Sequence, residues 1–514
     1  MKRLNRIVAA GLAVLVALVL MVTLYAGAWL IKQNTPVFVP KMTKTQTPVM
    51  MFPQFLFRQP HDNLDPQWSP DGQKLAFVGH AEGNPDVFMF DVSTGGIKNL
   101  SHAPEDDFNP IWSPDSKYVL FYRREGHNVG PNQLVVVRAD SGESRVISGD
   151  YGYIPQDEAF WSADSQFIFY RKDASVHRYT VEDHLTQPDL TADLPDNRLR
   201  ASYAPVSYMK PIDNSTVLVI TFNTLAYSDY YYSDVSLVTL TTNKVEILAA
   251  VDLVQSVAVG LSGLAFTAWT GDRVTGDGPW RVYYMDFQQR DKLLSIPTSA
   301  KDQGQGTLSV SYSNSLHWSC YQGGLDLLRA TSDGRWAWVI FNCHQDTDST
   351  YRVNSSIELF DPATGQTCDL LTVNVPIKDI AWSPTRDQLA FNTYAGIYVT
   401  DVPTGEFRDF IQGGGRIWEM TWSSDGNYIV SGLGGNWDLS YSEIAAADVR
   451  DGTIYRYQSG ALDSGKPFLG GELQWRPDDD SFTFLGGDLG KDGVFQGSVY
   501  RVDLPSALHR ALTF

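Results

Sequence analysis

The side chains able to do chemistry are scattered along this chain rather than gathered into one motif. His344 follows Cys343, but two ligands one residue apart fall short of the three or four that a zinc site uses. Acids stand close together at Asp272 and Asp277, Asp346 and Asp348, Asp478 to Asp480, and Asp488 and Asp492. Oxygen donors of that kind suit Ca²⁺, yet each group lies in a polar stretch where acids also serve solvation. HExxH, phosphate-loop and EF-hand patterns do not occur. Gly260-Leu261-Ser262-Gly263 lacks the Gly-x-Ser-x-Gly frame of a hydrolase nucleophile elbow. Arg123, Arg171 and Asp173 stand at or just after the ends of apolar runs, where groups converging on a channel would stand. The run Tyr227-Ser228-Asp229-Tyr230-Tyr231-Tyr232 is the most unusual local sequence. Tyrosines beside acids suit a sugar or a peptide if exposed, and a sheet core if half buried. No catalytic residue, metal site or cofactor is assigned.

The elements that would position these groups are legible from composition and repetition. Hydrophobic residues make up 43% and aromatics 12% of the 514 residues, and Gly 42 and Pro 26 supply turns. Many short strands are expected from that mixture. Net charge is −19, but residues 1–44 hold six basic residues and no acid. The remainder carries 34 basic and 59 acidic residues. Such a domain repels a phosphate backbone, which argues against nucleic acid as a partner. Cys320, Cys343 and Cys368 form no disulfide framework. Cys320 and Cys343 either bridge in an oxidising compartment or, like Cys368, serve as small buried fillers.

Residues 8–31 contain no charged side chain. At ~1.5 Å per residue such a helix spans roughly 36 Å, enough for a hydrocarbon core of ~30 Å. Lys2, Arg3 and Arg6 precede it, so the positive-inside rule puts residues 1–7 in the cytoplasm and the rest outside. Ala26-Gly27-Ala28 resembles a cleavage site, but the apolar run is longer than a signal-peptide core of ~7–15 residues. Residues 8–31 therefore read as a transmembrane signal anchor. Residues 32–50 read as a Pro- and Thr-rich stalk, and residues 51–514 as one large domain.

A repeat organises that domain. Trp68-Ser69-Pro70-Asp71-Gly72, Trp112-Ser113-Pro114-Asp115-Ser116, Trp161-Ser162-Ala163-Asp164-Ser165, Trp382-Ser383-Pro384-Thr385, Trp422-Ser423-Ser424-Asp425-Gly426 and Trp475-Arg476-Pro477-Asp478 each precede an apolar run. Neighbouring tryptophans are 44, 49, 40 and 53 residues apart. Trp ends a strand and fills space between sheets. Pro, Asp and Gly make the turn, and the run after it is a second strand. A third follows, as in 86–92, and a short fourth, as in 97–100. Four strands per ~45 residues make a propeller blade. The recurrence of Asp71, Asp115, Asp164, Asp425 and Asp478 marks them as turn formers. Three degenerate units fill the 221 residues between Trp161 and Trp382, with strands near 216–222 and 234–240, 264–269 and 280–287, and 335–341 and 357–360.

The fold expected is all-β, a β-propeller of about eight or nine four-stranded blades preceded by one N-terminal transmembrane helix. Two fused smaller rings are a further possibility. Leu56 to Trp68 aligns without a gap on Leu100 to Trp112. Residues 52–58 thus read as the fourth strand of the last blade, in competition with Leu508 to Phe514. Pairing the two ends of the chain would leave the ring without open edges.

The repeats resemble the PD40, or TolB-like, propeller repeats, which look related to WD40. That resemblance covers about 460 residues and speaks to fold far more than to function. It implies a periplasmic or otherwise extracytoplasmic domain, since the family includes the periplasmic TolB component of the Tol–Pal system. The family also includes propellers of tricorn-type and prolyl-oligopeptidase-type peptidases. No hydrolase domain is expected here, because the repeats run on to near the end of the sequence. The expected function is noncatalytic: a membrane-held scaffold or receptor binding another envelope or extracellular protein. The alternative is a ligand-binding, lyase or hydrolase site in the central channel.

Overall fold

A computed structural model of the chain describes residues 48–504, apart from 52–53, 59–63, 81–82, 125–131, 149–158, 173–174, 183–188, 194–205, 225–230, 252, 261, 270–279, 291, 298–307, 313–315, 321–323, 331–333, 346–350, 394–395, 403, 413–416, 435–442, 459–467, 470–471, 478–480 and 490–494. The apolar run 8–31 and the tail 508–514 lie outside the described residues. Among the described residues no helix is long and apolar enough to cross a membrane.

The described strands form nine blades, at 64–99, 106–146, 159–193, 206–251, 253–297, 324–373, 379–412, 417–458 and 468–503. Within each blade the strands are antiparallel and stand in chain order. First strands lie against one another between blades 1 and 2, 5 and 6, 6 and 7, 7 and 8, and 9 and 1, which puts them at the ring axis. Nine hydrophobic clusters accompany the nine blades, and each cluster joins two neighbours. The cluster of Phe57, Leu485 and Val499 with Trp68, Leu75 and Phe77 joins the last blade to the first. This settles the architecture as one closed ring of nine, not eight and not two rings.

Burial explains why the middle strands read as they do. Lys74–His80 and Pro85–Asp91 each bury five residues in succession, and Tyr428–Leu433 buries all six. A strand with a blade on either side has no solvent face, so its sequence is a continuous apolar run rather than a strict alternation. Outer strands differ, and Ser144–Val146 is exposed throughout. Three residues before the tryptophan, Asp65, Asn109 and Glu472 take φ of 50°, 53° and 67°. In blades 1 and 2 the ladder shifts register at that point, a bulge that bends the inner strand.

Closure uses the N-terminal segment twice. Gln54–Arg58 pairs antiparallel with Phe495–Asp503 as the outer strand of blade 9. Val49–Met50, in the stretch read as stalk, pairs parallel with Ile454–Gln458 on blade 8. Met51, 5% exposed, packs between blades 8 and 9.

The nine blades share two ends. The turns between first and second and between third and fourth strands lie on one face, here the turn face. The loops between second and third strands, and the crossings to the next blade, lie on the other, the tip face. Hairpin length varies at the tip face. Blade 7 pairs Gln388–Asn392 with Gly396–Asp401 over five positions, whereas blade 6 pairs Trp336–Gln345 with Tyr351–Asp361 over ten. At ~3.3 Å per residue that is roughly 16 Å of extra reach. Blade 4 is also long, with nine-residue strands Thr216–Thr224 and Tyr231–Thr239. An additional hairpin, Leu308–Tyr312 with Leu316–Cys320, sits in the crossing from blade 5 to blade 6.

The seam between blades 9 and 1 gives a direct test of closure. Phe57 is 5% exposed and its ring lies 4.7 Å from that of Phe77 and 4.8 Å from that of Phe90, whereas Phe55 on the same strand is 55% exposed. Phe57→Ala is expected to cost about 3–5 kcal/mol and Phe55→Ala less than about 1 kcal/mol, read from thermal or urea unfolding. Equal losses would mean that Gln54–Arg58 does not close the ring.

Candidate functional site

The repeat tryptophans act at the seams. Trp112 Nε1 donates to the carbonyl of Gln67 at 2.9 Å, Trp161 to Ile111 at 3.2 Å, Trp422 to Ala381 at 3.0 Å and Trp475 to Thr421 at 3.4 Å. In each case the acceptor is the residue just before the tryptophan position of the preceding blade. At closure the link runs through a hydroxyl. Trp68 Nε1 donates to Thr483 Oγ1 at 3.1 Å, and Thr483 donates to the carbonyl of Gln474 at 3.4 Å, which precedes Trp475. Trp382 makes no such bond: its buried Nε1 has no hydrogen-bond partner among the described residues.

The aspartates of the repeat hold the turns. Ser69 Oγ donates to Asp71 at 2.6 Å, Ser113 to Asp115 at 2.7 Å, Ser162 to Asp164 at 2.6 Å and Ser423 to Asp425 at 2.7 Å. The left-handed position falls to Gly72 and Gly426, both at φ 67°, but to Ser116 and Ser165 in blades 2 and 3. Those serines also bridge blades: Ser116 Oγ accepts from Asp71 N–H at 3.1 Å and Ser165 Oγ from Asp115 N–H at 3.0 Å. A Cβ at Gly426 would meet Ser383 Oγ of blade 7 at 2.7 Å. Arg290 pairs with Asp213 at 2.9 Å between blades 5 and 4, and Arg476 donates to the Gly72 carbonyl at 2.8 Å between blades 9 and 1. Asp478 lies outside the described residues.

Acid chemistry follows from that bonding. Burial alone would raise Asp115, Asp164 and Asp213. The hydroxyl, amide and side-chain donors around each outweigh burial and hold all three below the usual carboxylate value. A depressed carboxylate stabilises the fold above its unfolded pKa of ~3.9, and that stability goes as pH falls through the folded value. Asp164→Asn is therefore expected to be less stable than the parent at pH 7, with the gap in Tm narrowing at pH 3. A gap independent of pH would show that the Asp164 charge plays no part.

The most enclosed charges lie at the tip face of blades 1 and 2. Arg123 grips Asp107 through two bonds, Nε to Oδ1 at 2.8 Å and Nη2 to Oδ2 at 3.0 Å. The Asp107 side chain is fully buried, and burial pushes its pKa up against the pull of Arg123. Beside it Asp86 accepts from Asn99 at 2.8 Å and from Ser101 at 2.9 Å. Arg124 lies over Phe108 at 4.9 Å and 4.0 Å from Asp106. Arg123 is thus committed to a carboxylate of its own blade. Arg171, in the corresponding strand of blade 3, is 4% exposed, and Asp173 lies outside the described residues. Arg123→Met is expected to cost about 3–5 kcal/mol, because it leaves a buried carboxylate uncompensated. Arg123→Met with Asp107→Leu is expected to cost less. A double variant as unstable as the sum of two large single losses would refute that coupling.

A cavity of about 280 Å³ opens between blades 2 and 3, lined by Tyr118, Arg138, Glu143, Arg145 and Glu182 with Val136 and Val181. Arg138 pairs with Glu182 at 2.8 Å and lies over the Tyr118 ring at 4.9 Å. Burial and the Glu182 carboxylate push Tyr118 up to about 12. Blade 8 has a related contact, with Arg450 over Tyr428 at 5.3 Å and donating to its hydroxyl at 3.0 Å. There the arginine comes from the turn after the third strand and pairs with Asp448 of its own blade, whereas Arg138 stands in the strand opposite Tyr118.

Of the tyrosine run, Tyr231 and Tyr232 open the third strand of blade 4 at the tip face. Tyr227 and Tyr230 lie outside the described residues. So do His-adjacent acids Asp346 and Asp348, as well as Asp272, Asp277, Asp479, Asp480 and Asp492. Among the described residues no group of three or more His, Cys, Asp or Glu side chains is placed to hold a metal. Cys368 is a free, exposed thiol on the outer strand of blade 6, not a buried filler. Cys320 and Cys343 fall in the added hairpin and in the second strand of blade 6.

Residues 51–198 match the PD40 family model, described as the TolB beta propeller domain. Blades 1 to 3 are similar to TolB-like propeller repeats. The matched span covers blades 1 to 3 and the strand that closes blade 9. Over 43 residues the chain is 44% identical to the Tol-Pal system protein TolB of Xanthomonas oryzae pv. oryzae (strain PXO99A), 8% of this chain and 10% of that one. The same protein of Xanthomonas campestris pv. campestris (strain B100) is 42% identical over 43 residues, again 8% and 10%. The chain thus spans about a tenth of the length of the curated relatives it matches. Among solved structures, TolB from Acinetobacter baumannii is 18% identical, covering 49% of this chain and 57% of that one, at a TM-score of 0.26. Dipeptidyl peptidase 4 of Porphyromonas gingivalis is 10% identical, covering 83% and 67%, at 0.49.

Proposed function

We propose that this TolB-like propeller is a noncatalytic, protein-binding scaffold or receptor of the cell envelope, held at the membrane by residues 8–31. One observation carries the reading. The conspicuous residues of the repeat, from Trp68 and Asp71 to Trp475, are engaged in seams and turns of a single ring. A rigid ring of this kind serves as a platform whose specificity lies in its loops. The bonded charges fit the same view: Arg123 is matched to Asp107, and Arg138 to Glu182. The apolar run behind Lys2, Arg3 and Arg6 supports an extracytoplasmic domain on a single-pass anchor. The similarity to a Tol-Pal system protein supports work within an assembly of proteins.

The test is crosslinking of the tagged full chain in cells of its native host, followed by membrane fractionation and mass spectrometry. The expected result is a saturable complex with a specific envelope protein, sedimenting with membranes. The opposite result is no protein adduct together with a rise of several degrees in Tm on adding a small molecule or glycan. That outcome would replace the scaffold by a ligand-binding or enzymatic channel.

A further inference from the structure

We infer that residues 508–514 lie along the outer edge of Gln54–Arg58 as a fifth strand of blade 9 and cover an exposed apolar patch at the seam between blades 8 and 9. The inference is independent of the scaffold reading.

The patch is built from the two ends of the described chain. Phe55 is 55% exposed and Val49 47%. Phe55 pairs with Tyr500 and meets its ring edge-on at 6.0 Å. Val49 stands beside Tyr455 in the parallel ladder on blade 8. Tyr455 and Tyr500 both pack, partly buried, on the cluster that holds Met51, Tyr457 and Phe484 between blades 8 and 9. Register partners share a sheet face, so Val49 and Phe55 look toward the same seam from its two sides. The other large hydrophobics found exposed among the described residues, Val146, Ile247, Leu294 and Val375, are spread over other blades. Exposed apolar side chains gathered at one place mark a surface that something covers.

The course of the chain names the occupant. Leu504 is 1% exposed inside that same cluster. Asp503 accepts from Gln54 Nε2 at 3.2 Å and from Arg501 Nε at 2.6 Å, so the chain leaves blade 9 beside the first residue of its closing strand. In blades 1 and 2 the residues 92–96 and 139–143 join the third strand to the fourth. A connection of similar length from Asp503, over 504–507, puts the start of a strand at Leu508. The fourth place in blade 9 is already filled by Gln54–Arg58, and the outer edge of that strand is unpaired among the described residues. The next open place is that edge. A strand entering it from the turn face runs parallel to Gln54–Arg58, just as Val49–Met50 runs parallel to Ile454–Gln458 on blade 8.

The sequence suits the place. With period two, Leu508, Arg510, Leu512 and Phe514 share one side and His509, Ala511 and Thr513 the other. The first side carries the apolar groups that complete the patch around Phe55. Pairing also covers an edge open to other chains. The ring itself closes without this strand, through Phe57 and Trp68 between blades 9 and 1.

The test places a photoreactive phenylalanine analogue at position 55 of the full chain, with position 146, 45% exposed on the outer strand of blade 2, as the control. The expected result at 55 is a crosslink within one chain to a peptide from 508–514, independent of protein concentration and about tenfold stronger than at 146. Leu512→Ser with Phe514→Ser is expected to cut that crosslink about fivefold and to speed amide exchange in Gln54–Arg58 by a similar factor. If the chain with the analogue at 55 fails to fold, position 49 takes its place. A crosslink to a second copy, to lipid or to another protein would overturn the fifth strand. So would a crosslink no stronger than at 146, or amide exchange that the two substitutions leave unchanged.

Discussion

Five of the nine seams share one hydrogen bond, the indole N–H given to the carbonyl just before the preceding tryptophan, through Thr483 at closure. That carbonyl belongs to the first strand, an edge of its sheet, and a buried acceptor left unmet is costly. Trp supplies the donor and, with the same side chain, the volume that fills the wedge between two sheets. Phe would fill the wedge without the donor. At closure the bond reaches its target through Thr483, so the last seam keeps the chemistry of the others although a side chain intervenes.

Where the tryptophan is missing, the seam is rebuilt from other residues. Blade 6 carries Trp336 and Trp338 in its second strand, both buried against Tyr284 and Phe360. Trp338 Nε1 donates to buried Glu358 at 2.7 Å. On the blade 5 side, Gly263 leaves room for the Tyr284 ring, whose atoms a Cβ would meet at 2.7 Å. The volume is conserved in kind while its position moves one strand outward. A repeat defined by Trp at the end of the first strand therefore fades between Trp161 and Trp382, although the blades continue.

That pattern sets what could be read from the amino acids. Turn chemistry is local, so Ser-x-Asp after Trp located four blades, its variants Ser383-Pro384-Thr385 and Arg476-Pro477-Asp478 located two more, and the paired apolar runs at 216–222 and 234–240 located a seventh without any tryptophan. Strand length was less accessible, because Asn342–His344 is as polar as a loop and is drawn into the ladder by pairing with Arg352–Asn354. Blade number was ambiguous because the longest interval holds two of the long hairpins and an added one. The Arg123–Asp107 pair was hidden for another reason. It depends on the register of the first and second strands of blade 2 at the end beyond the bulge at Asn109, which no spacing rule anticipates. Strand ends were half visible: Tyr231 and Tyr232 stood out in the sequence, but only the topology puts the strand ends at Trp269, Trp280 and Tyr351 on the same face.

The two faces divide the work. On the turn face, backbone and side chains bond from one blade to the next, through Ser116, Ser165, Arg290 and Arg476, so a change in one turn is felt by its neighbour. Such turns can vary little. On the tip face the hairpin of blade 6 runs on past that of blade 7 while the seam between them still closes, through Ile357, Leu371, Ile380 and Leu389. Length can therefore change there without opening the ring. A scaffold built this way gains new specificity by lengthening strands and inserting hairpins at one face, and the stretch from blade 4 to blade 6 is where this chain has done both.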